Sequence, residues 1–117
     1  MNIKTIIIIV IAASAAGYFF YMMSDIASPE KVQEWIDRGA LIADVRTPEE
    51  YAAVHFKGSV NIPLAEIESR INEFGEIDSE IVLYCRTGNR SRKAKAILKN
   101  HGFKNVINAG GLRHMGL

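Results

Sequence analysis

A run of nineteen residues without a charge, from Thr5 to Met23, lies near the N-terminus of this 117-residue chain. About twenty apolar residues in a helix are needed to cross the hydrocarbon core of a bilayer. Residues 1–24 are therefore predicted to form a transmembrane anchor or a signal segment. Because that segment adds nothing to a soluble core, residues 27–117 remain for a folded domain, a length that suits one small core.

The two interpretations of the N-terminal run differ in whether it is removed. Ala13-Ser14-Ala15 resembles the small-residue site of a cleaved signal peptide. The apolar run continues through aromatic residues at 18–21, which suit a membrane interface and which cleavage would leave as an exposed terminus. We favour the uncleaved anchor. Since Lys4 and the terminal amine are the only positive charges before the run, the domain is expected to be exported across the membrane. Cleavage of the run would instead leave a soluble exported protein.

Helix signals alternate with short apolar runs beyond the N-terminal segment. The runs with the length and composition of strands are residues 40–45, 58–63, 80–85 and 103–108. The helix signals are the N-cap and proline pairs Ser28-Pro29 and Thr47-Pro48, and apolar residues at helical spacing within 65–74 and 94–101. The run 80–85 is apolar on both faces, which is typical of a central parallel strand. This alternation predicts an α/β domain with a mainly parallel sheet.

Cys85 is the only cysteine of the chain. One cysteine excludes an internal disulfide, a CxxC redox pair and a cysteine-rich metal site. The three histidines, His55, His101 and His114, do not have the spacing of metal ligands. We therefore predict neither a metal nor a cofactor.

Asp44 and Cys85 both follow apolar runs that are predicted to be strands. Ligands of open parallel sheets bind at the carboxyl edge of the strands. If the two strands are parallel, Asp44, Arg46 and Cys85 emerge at the same edge. This edge is the predicted location of a functional site.

The loop Cys85–Arg90, CRTGNR, contains several features that stabilise a thiolate. Gly88 allows a backbone in which N–H groups turn inward, and the predicted helix after it contributes the positive end of its dipole. Arg86 and Arg90 add positive charge. The thiolate is the reactive form of cysteine, so we predict that Cys85 is a nucleophile and not a buried apolar residue that closes a strand.

The charges of the chain are distributed unevenly, although the net charge is only +1. Residues 24–80 carry thirteen acidic and five basic residues, a net of −8, whereas residues 81–117 carry eight basic residues and no acid. A solvated basic helix explains this pattern, and so does a positive field that attracts anions toward Cys85. The basic stretch is short and lacks interleaved aromatics, which disfavours nucleic acid as a partner.

A loop of this kind can also hold phosphate or arsenate. Cysteine phosphatases of the C-x5-R type place an arginine six residues after the cysteine, where this chain has Ser91. Arg90 comes one residue earlier, so the ring of N–H groups is smaller. A smaller ring suits one additional sulfur atom better than a tetrahedral oxyanion.

Four ordered blocks of the chain resemble the rhodanese family, specifically its single-domain sulfurtransferases, over nearly all of residues 29–112. The blocks are residues 44–51, 55–63, 85–91, and 102–106 with Gly110-Gly111. The resemblance implies a rhodanese-like three-layer α/β domain with a mainly parallel central sheet. The chain departs from the family pattern after Gly111, where only six residues follow and an aromatic that the family often carries is missing.

The resemblance implies that Cys85 carries a persulfide. Cys85 would attack an anionic sulfane donor such as thiosulfate, and a thiophilic acceptor such as cyanide or a thiol would then remove the sulfur. The residues expected to bind the substrate are Arg86, Thr87, Gly88, Asn89 and Arg90. Asp44, Arg46 and Ser91 are expected to support them, and a catalytic role of His55 is not expected.

Two other functions remain open at this stage. The domain is alternatively a sulfur-carrier or protein-interaction module with little turnover of its own. A phosphatase or arsenate reductase is disfavoured by the short loop and by the lack of a second cysteine. The tethered, exported arrangement is similar to that of small periplasmic rhodaneses of the phage-shock type.

Overall fold

Four parallel strands form the central sheet in a computed structural model that covers residues 1–117 and describes the side chains of residues 1–20 and 25–117. The strands are β1 (Leu41–Asp44), β2 (Val60–Asn61), β3 (Glu80–Tyr84) and β4 (Asn105–Asn108). Their spatial order is β2-β1-β3-β4, so β3 is an interior strand. The predicted α/β class and the central position of the run 80–85 are confirmed.

Four α-helices and three short 3-10 turns accompany the strands. The helices are α1 (Ile3–Ser24), α2 (Pro29–Asp37), α3 (Pro48–Ala53) and α4 (Asn89–Asn100), and the 3-10 turns are Leu64–Glu66, Ile71–Phe74 and Leu112–Met115. Two helices begin where the caps were predicted, because the Ser28 hydroxyl accepts from the Lys31 N–H at 3.2 Å and the Thr47 hydroxyl accepts from the Glu50 N–H at 3.2 Å. These bonds satisfy backbone donors that a helix start otherwise leaves open.

The predicted helix over residues 65–74 is wrong. This stretch forms two 3-10 turns separated by residues 67–70, and the backbone of Arg70 (φ −116°, ψ 24°) is not helical. The apolar pairs Leu64–Ile67 and Ile71–Phe74 are each three residues apart, which matches the three-residue turn of a 3-10 helix. Both pairs pack against the same hydrophobic core. The two short turns therefore bury the apolar side chains that one continuous helix was expected to bury.

The sheet separates two hydrophobic cores. Along β3, Ile81 and Leu83 face one side, where they pack with α4 and the 3-10 turns. Val82 and Tyr84 face the other side, where they pack with α2 and the C-terminal turn. Because successive side chains of a strand point to opposite faces, one apolar strand serves both cores, and the domain has the three layers expected.

Helix α1 has the length and composition of a membrane span. The residues Ile3–Phe20 have a mean hydropathy of 2.0, and their side chains are not buried against the domain. A signal segment near an N-terminus shares these properties. The predicted apolar N-terminal helix is therefore confirmed.

A buried ion pair closes the carboxyl end of β1. Asp44 and Arg46 are 0% and 2% exposed, and the Arg46 guanidinium donates to both Asp44 carboxylate oxygens, with the shortest distance at 2.6 Å. The same guanidinium donates to the Val54 carbonyl at 2.6 Å and so holds the end of α3. The hydrogen bond to Asp44 raises the pKa of Arg46 above its ordinary value, although burial opposes it. These contacts join the end of β1 to the end of α3.

We expect Asp44→Asn to lower the free energy of unfolding by about 3 kcal/mol or more. The replacement keeps the side-chain shape but leaves the Arg46 charge buried without a counter-ion. Chemical denaturation of the full-length chain in mild detergent measures the loss.

The control is Arg38→Gln, which removes an exposed ion pair with Glu34 and Glu80. Exposed pairs contribute about 1 kcal/mol or less, so this variant should differ little from the wild type. Equal, small losses in the two variants would show that the Asp44–Arg46 pair does not stabilise the fold.

Candidate active site

The parallel pairing of β1 and β3 brings their carboxyl ends together. Asp44 is in register with Tyr84, and the Val45 N–H donates to the Tyr84 carbonyl at 3.1 Å. Cys85 follows directly and donates its N–H to the Gly110 carbonyl at 3.0 Å. The predicted convergence of the two strand ends at one edge is therefore observed.

The Cys85 sulfur is enclosed by hydrogen-bond donors. The side chain is 1% exposed, the Gly88 N–H donates to Sγ at 3.0 Å, and the Ser91 hydroxyl lies 3.3 Å from Sγ. Burial raises the pKa of the thiol, but the hydrogen bonds from the Ser91 hydroxyl and from the backbone of Ser91, Thr87 and Gly88 outweigh it. The net effect lowers the pKa, and a lower pKa favours the nucleophilic thiolate.

Gly88 is required at its position by conformation and by space. Its φ is +105°, a left-handed conformation that turns the chain into α4. A Cβ atom there would lie 3.2 Å from Ile26 Cδ1 and 3.3 Å from Gly110 Cα. The neighbouring Gly111 is equally restricted, since a Cβ atom on it would lie 2.2 Å from the Arg86 carbonyl oxygen. These approaches press the loop against the C-terminal turn.

The other loop residues that the sequence singled out lie at the surface. Arg86, Thr87 and Asn89 are exposed, and Asn89 Oδ1 accepts a hydrogen bond from Arg92 Nη2 at 3.2 Å. Exposed side chains next to a buried sulfur are accessible to a ligand that approaches the loop. The Arg86 charge thus lies at the surface, one residue after Cys85.

Arg90 is paired with Glu50 of α3. Its Nη1 and Nη2 donate to the two Glu50 carboxylate oxygens at 2.7 and 3.0 Å. The Arg90 hydrogen bond lowers the pKa of Glu50 to about 2, against the effect of burial. The pair therefore stabilises the fold fully above the ordinary glutamate range, and this stabilisation is lost as pH falls through about 2. No spacing in the sequence connects position 50 with position 90.

Asn108 and Asp25 belong to the site but were not predicted from the sequence. The buried Asn108 amide accepts from the Ser91 hydroxyl at 2.6 Å and donates to Asp25 at 3.1 Å and to the Gly88 carbonyl at 3.0 Å. Asn108 is a polar residue at the carboxyl end of a predicted strand, so the rule that singled out Asp44 and Cys85 could also have found it. No sequence signal connects Asp25 with this site.

His55 packs on Tyr51. The two rings are stacked with centroids 3.8 Å apart, and His55 Nδ1 lies 2.8 Å from the Tyr51 carbonyl. Among the residues with described side chains, no group of three or more His, Cys, Asp or Glu could hold a metal ion. The described site contains one thiol with the Gly88 N–H and the Ser91 hydroxyl as hydrogen-bond donors.

Comparison with known proteins identifies the same domain. The rhodanese-like domain family matches residues 28–113. The chain is 49% identical over 72 residues to YrkF of Bacillus subtilis (strain 168), whose name describes a candidate sulfur carrier protein, and it spans only 38% of that protein. This match covers 62% of the chain.

Two further similar proteins are matched over most of their own length. The chain is 40% identical over 75 residues to the thiosulfate sulfurtransferase PspE of Escherichia coli (strain K12), with 63% of the chain and 72% of PspE covered. A solved structure of an E. coli rhodanese with anions superposes with a TM-score of 0.62 at 39% identity, over 65% of this chain and 91% of that one. With the family match and the parallel sheet, these similarities show that the chain belongs to the rhodanese-like family.

Proposed function

We propose that the protein is a sulfurtransferase that moves a sulfane sulfur from an anionic donor such as thiosulfate to a thiophilic acceptor through a Cys85 persulfide. The enclosure of the Cys85 sulfur by the Gly88 N–H and the Ser91 hydroxyl is the observation that carries the proposal. The similarity to PspE, which is named a thiosulfate sulfurtransferase, supports it.

The first half-reaction loads the sulfur. The Cys85 thiolate attacks the outer sulfur of thiosulfate, the S–S bond of the donor breaks, and its electron pair leaves with sulfite. The negative charge of the new persulfide is then on its terminal sulfur. Backbone N–H groups of the loop, with that of Gly88 already directed at Sγ, stabilise this charge because an anionic acceptor strengthens a hydrogen bond.

The second half-reaction returns the enzyme to its starting state. Cyanide or a thiolate attacks the terminal sulfur, the persulfide S–S bond breaks, and Cys85 leaves as a thiolate. The lowered pKa makes Cys85 a better leaving group as well as a more abundant nucleophile. Sulfite leaves before the acceptor enters, so the kinetics are ping-pong.

We assign the substrate-binding roles within the loop unequally. The exposed Arg86 guanidinium attracts the anionic donor, and the exposed Thr87 and Asn89 contact it. The Arg90 charge is neutralised by Glu50. Arg90 therefore attracts an anionic donor less than its closeness to Cys85 in the sequence suggests. Asp44 and Arg46 hold the edge of the sheet and do not bind substrate.

A sulfur carrier is the second candidate function. YrkF, whose name describes a candidate sulfur carrier protein, is similar to this chain over 38% of its own length. In a carrier a partner protein delivers sulfur to Cys85 and another removes it. The carrier binds one sulfur atom but does not turn over small donors.

We further propose that α1 is an uncleaved anchor that holds the domain at the periplasmic face of a membrane. Its length and hydropathy support an anchor. Removal of α1 as a signal segment, which would leave a soluble periplasmic domain, is the alternative.

The wild-type protein is expected to form thiocyanate from thiosulfate and cyanide, and Cys85→Ser is expected to abolish it. The rate of persulfide formation should fall as pH drops through the lowered thiol pKa, because the thiolate is lost. Thiocyanate formation and intact mass of the full-length protein measure the two steps.

The mass measurement separates the candidate functions. A gain of one sulfur without turnover would favour the carrier, and absence of both at saturating donor would reject sulfur transfer. Hydrolysis of an aryl phosphate that depends on Cys85 would indicate a phosphatase instead.

Glu50→Gln is expected to raise kcat/KM for thiosulfate about two- to fivefold at low ionic strength, the size of a partly exposed charge interaction. Glutamine can replace glutamate in the capping box, so the helix start is kept while the Arg90 charge is no longer neutralised. Salt should reduce the gain.

The matched control is Glu49→Gln, which neutralises an exposed carboxylate of the same helix. This variant should show little change with thiosulfate. Alkylation of Cys85 by the uncharged iodoacetamide, at a pH where the thiol is fully ionised, should change little in Glu50→Gln. An equal gain with iodoacetamide would show that Glu50 acts on the loop and not through charge.

Full-length protein is expected in the membrane fraction with an intact mass that includes α1. Deletion of residues 1–24 should release the domain into the soluble fraction. Recovery of a soluble chain that begins near Ser14 or Ala15 would show instead that α1 is a signal segment.

A further inference from the structure

Asn108 is a buried polar residue for which the proposed sulfur transfer gives no role. It ends β4, its side chain is 0% exposed, and its amide has four hydrogen-bond contacts. The carbonyl oxygen accepts from the Gly110 N–H at 2.9 Å and from the Ser91 hydroxyl at 2.6 Å. The amide nitrogen donates to the Gly88 carbonyl at 3.0 Å and to an Asp25 carboxylate oxygen at 3.1 Å.

These contacts fix the orientation of the Asn108 amide. Asp25 and the Gly88 carbonyl accept hydrogen bonds, so the NH₂ group must face them. The Gly110 N–H donates, so the carbonyl oxygen must face it. Rotation of the amide by 180° would leave these buried donors and acceptors without partners, and the free-energy cost excludes that orientation. The Asn108 oxygen is therefore held toward Ser91.

The Ser91 hydroxyl has one proton and two possible acceptors. Asn108 Oδ1 lies at 2.6 Å and Cys85 Sγ at 3.3 Å. A hydroxyl donates only one hydrogen bond at a time. The shorter contact favours Asn108 while the sulfur is a neutral thiol, and a thiolate attracts the proton more strongly than a thiol does. The two acceptors therefore compete.

We propose that Asn108 is a positioning residue that holds the Ser91 proton until negative charge develops on the Cys85 sulfur. In the thiol state Ser91 donates to Asn108 Oδ1. When the thiol proton leaves to solvent, the Ser91 hydroxyl rotates and donates to the sulfur, and no bond to Ser91 oxygen is made or broken. Asn108 Oδ1 keeps the Gly110 hydrogen bond, so the rotation leaves no buried acceptor unsatisfied.

Asp25 connects this network to the N-terminal segment. It is the first residue after α1, and while one carboxylate oxygen accepts from Asn108, the other accepts from Lys95 Nζ at 3.1 Å. The Ala27 N–H also donates to the main-chain carbonyl of Asn108 at 2.8 Å. The segment that joins the apolar helix to the domain thus fixes the residue that orients Ser91.

Removal of Asn108 and removal of Ser91 should shift the thiol pKa in opposite directions. Asn108→Leu keeps the branched shape of the side chain but removes the competing acceptor, so Ser91 donates to the thiolate alone and the pKa of Cys85 falls. Ser91→Ala removes the donor, so the pKa rises. Each shift should be about half a pH unit to one unit, the size of one hydrogen bond. In Ser91→Ala protein, Asn108→Leu should have no further lowering effect.

The pH dependence of alkylation of the full-length protein by iodoacetamide measures these shifts. The charged groups that surround the site stay the same in every variant: Arg86, Arg90, Glu50, the Asp44–Arg46 pair, Asp25, Lys95 and His114. Asn105→Leu is the matched control, since Asn105 lies at the other end of β4 and donates to the Asp78 carbonyl. It should leave the thiol pKa unchanged.

A rise in the pKa of Asn108→Leu, or no shift, would overturn the proposal, because a residue that only supports the loop would loosen its N–H donors when removed. If Asn108→Leu does not fold, Asn108→Ala is the second variant, and it is also expected to lower the thiol pKa. In the unaltered protein, the Asn108 side-chain amide resonances should titrate with the thiol pKa, and invariant resonances would contradict the rotation of Ser91.

The proposal rests on the proposed chemistry at Cys85, but its test does not need turnover. Opposite pKa shifts in a protein without sulfurtransferase activity would support the role of Asn108 and reject the proposed reaction. Full sulfurtransferase activity with thiol pKa shifts of the same sign in the two variants would support the proposed reaction and reject the role of Asn108.

Discussion

The parallel register of β1 and β3 is the constraint on which the rest of the structure depends. It places Asp44 beside Tyr84, so that the chain after each strand emerges at one edge of the sheet. The Asp44–Arg46 pair closes the end of one strand, and the loop that holds Cys85 begins at the end of the other. Since β3 supplies side chains to both cores, the position of the sulfur is fixed by packing on two faces.

The stabilisation of the thiolate comes mainly from uncharged donors. Burial opposes ionisation of Cys85, and the Ser91 hydroxyl and the loop amides outweigh it. The nearby arginines contribute less than their number suggests, because Arg46 and Arg90 are each paired with a carboxylate. The acidic and basic parts of the sequence thus meet in the fold, whereas the Arg86 side chain of the loop is exposed.

Much of the local structure could be predicted because its causes are local. The caps at Ser28 and Thr47 depend on neighbouring residues, and both were predicted from them. The inward-turned N–H groups that Gly88 was expected to allow also come from neighbouring residues. The stretch 65–74 could not be predicted in this way. Its apolar spacing fits both an α-helix and two 3-10 turns, and packing against the sheet decided between them.

The sequence by itself determined that one thiol follows an apolar strand and precedes a glycine turn and a basic helix. That order is enough to predict a nucleophile, because the groups that stabilise a thiolate come from the same loop. Only the tertiary structure decided which partners this loop would have. Glu50 reaches Arg90 and Asn108 reaches Ser91 across 40 and 17 positions of the chain. Such contacts follow from the packing of strands and helices, which no local spacing in the sequence records.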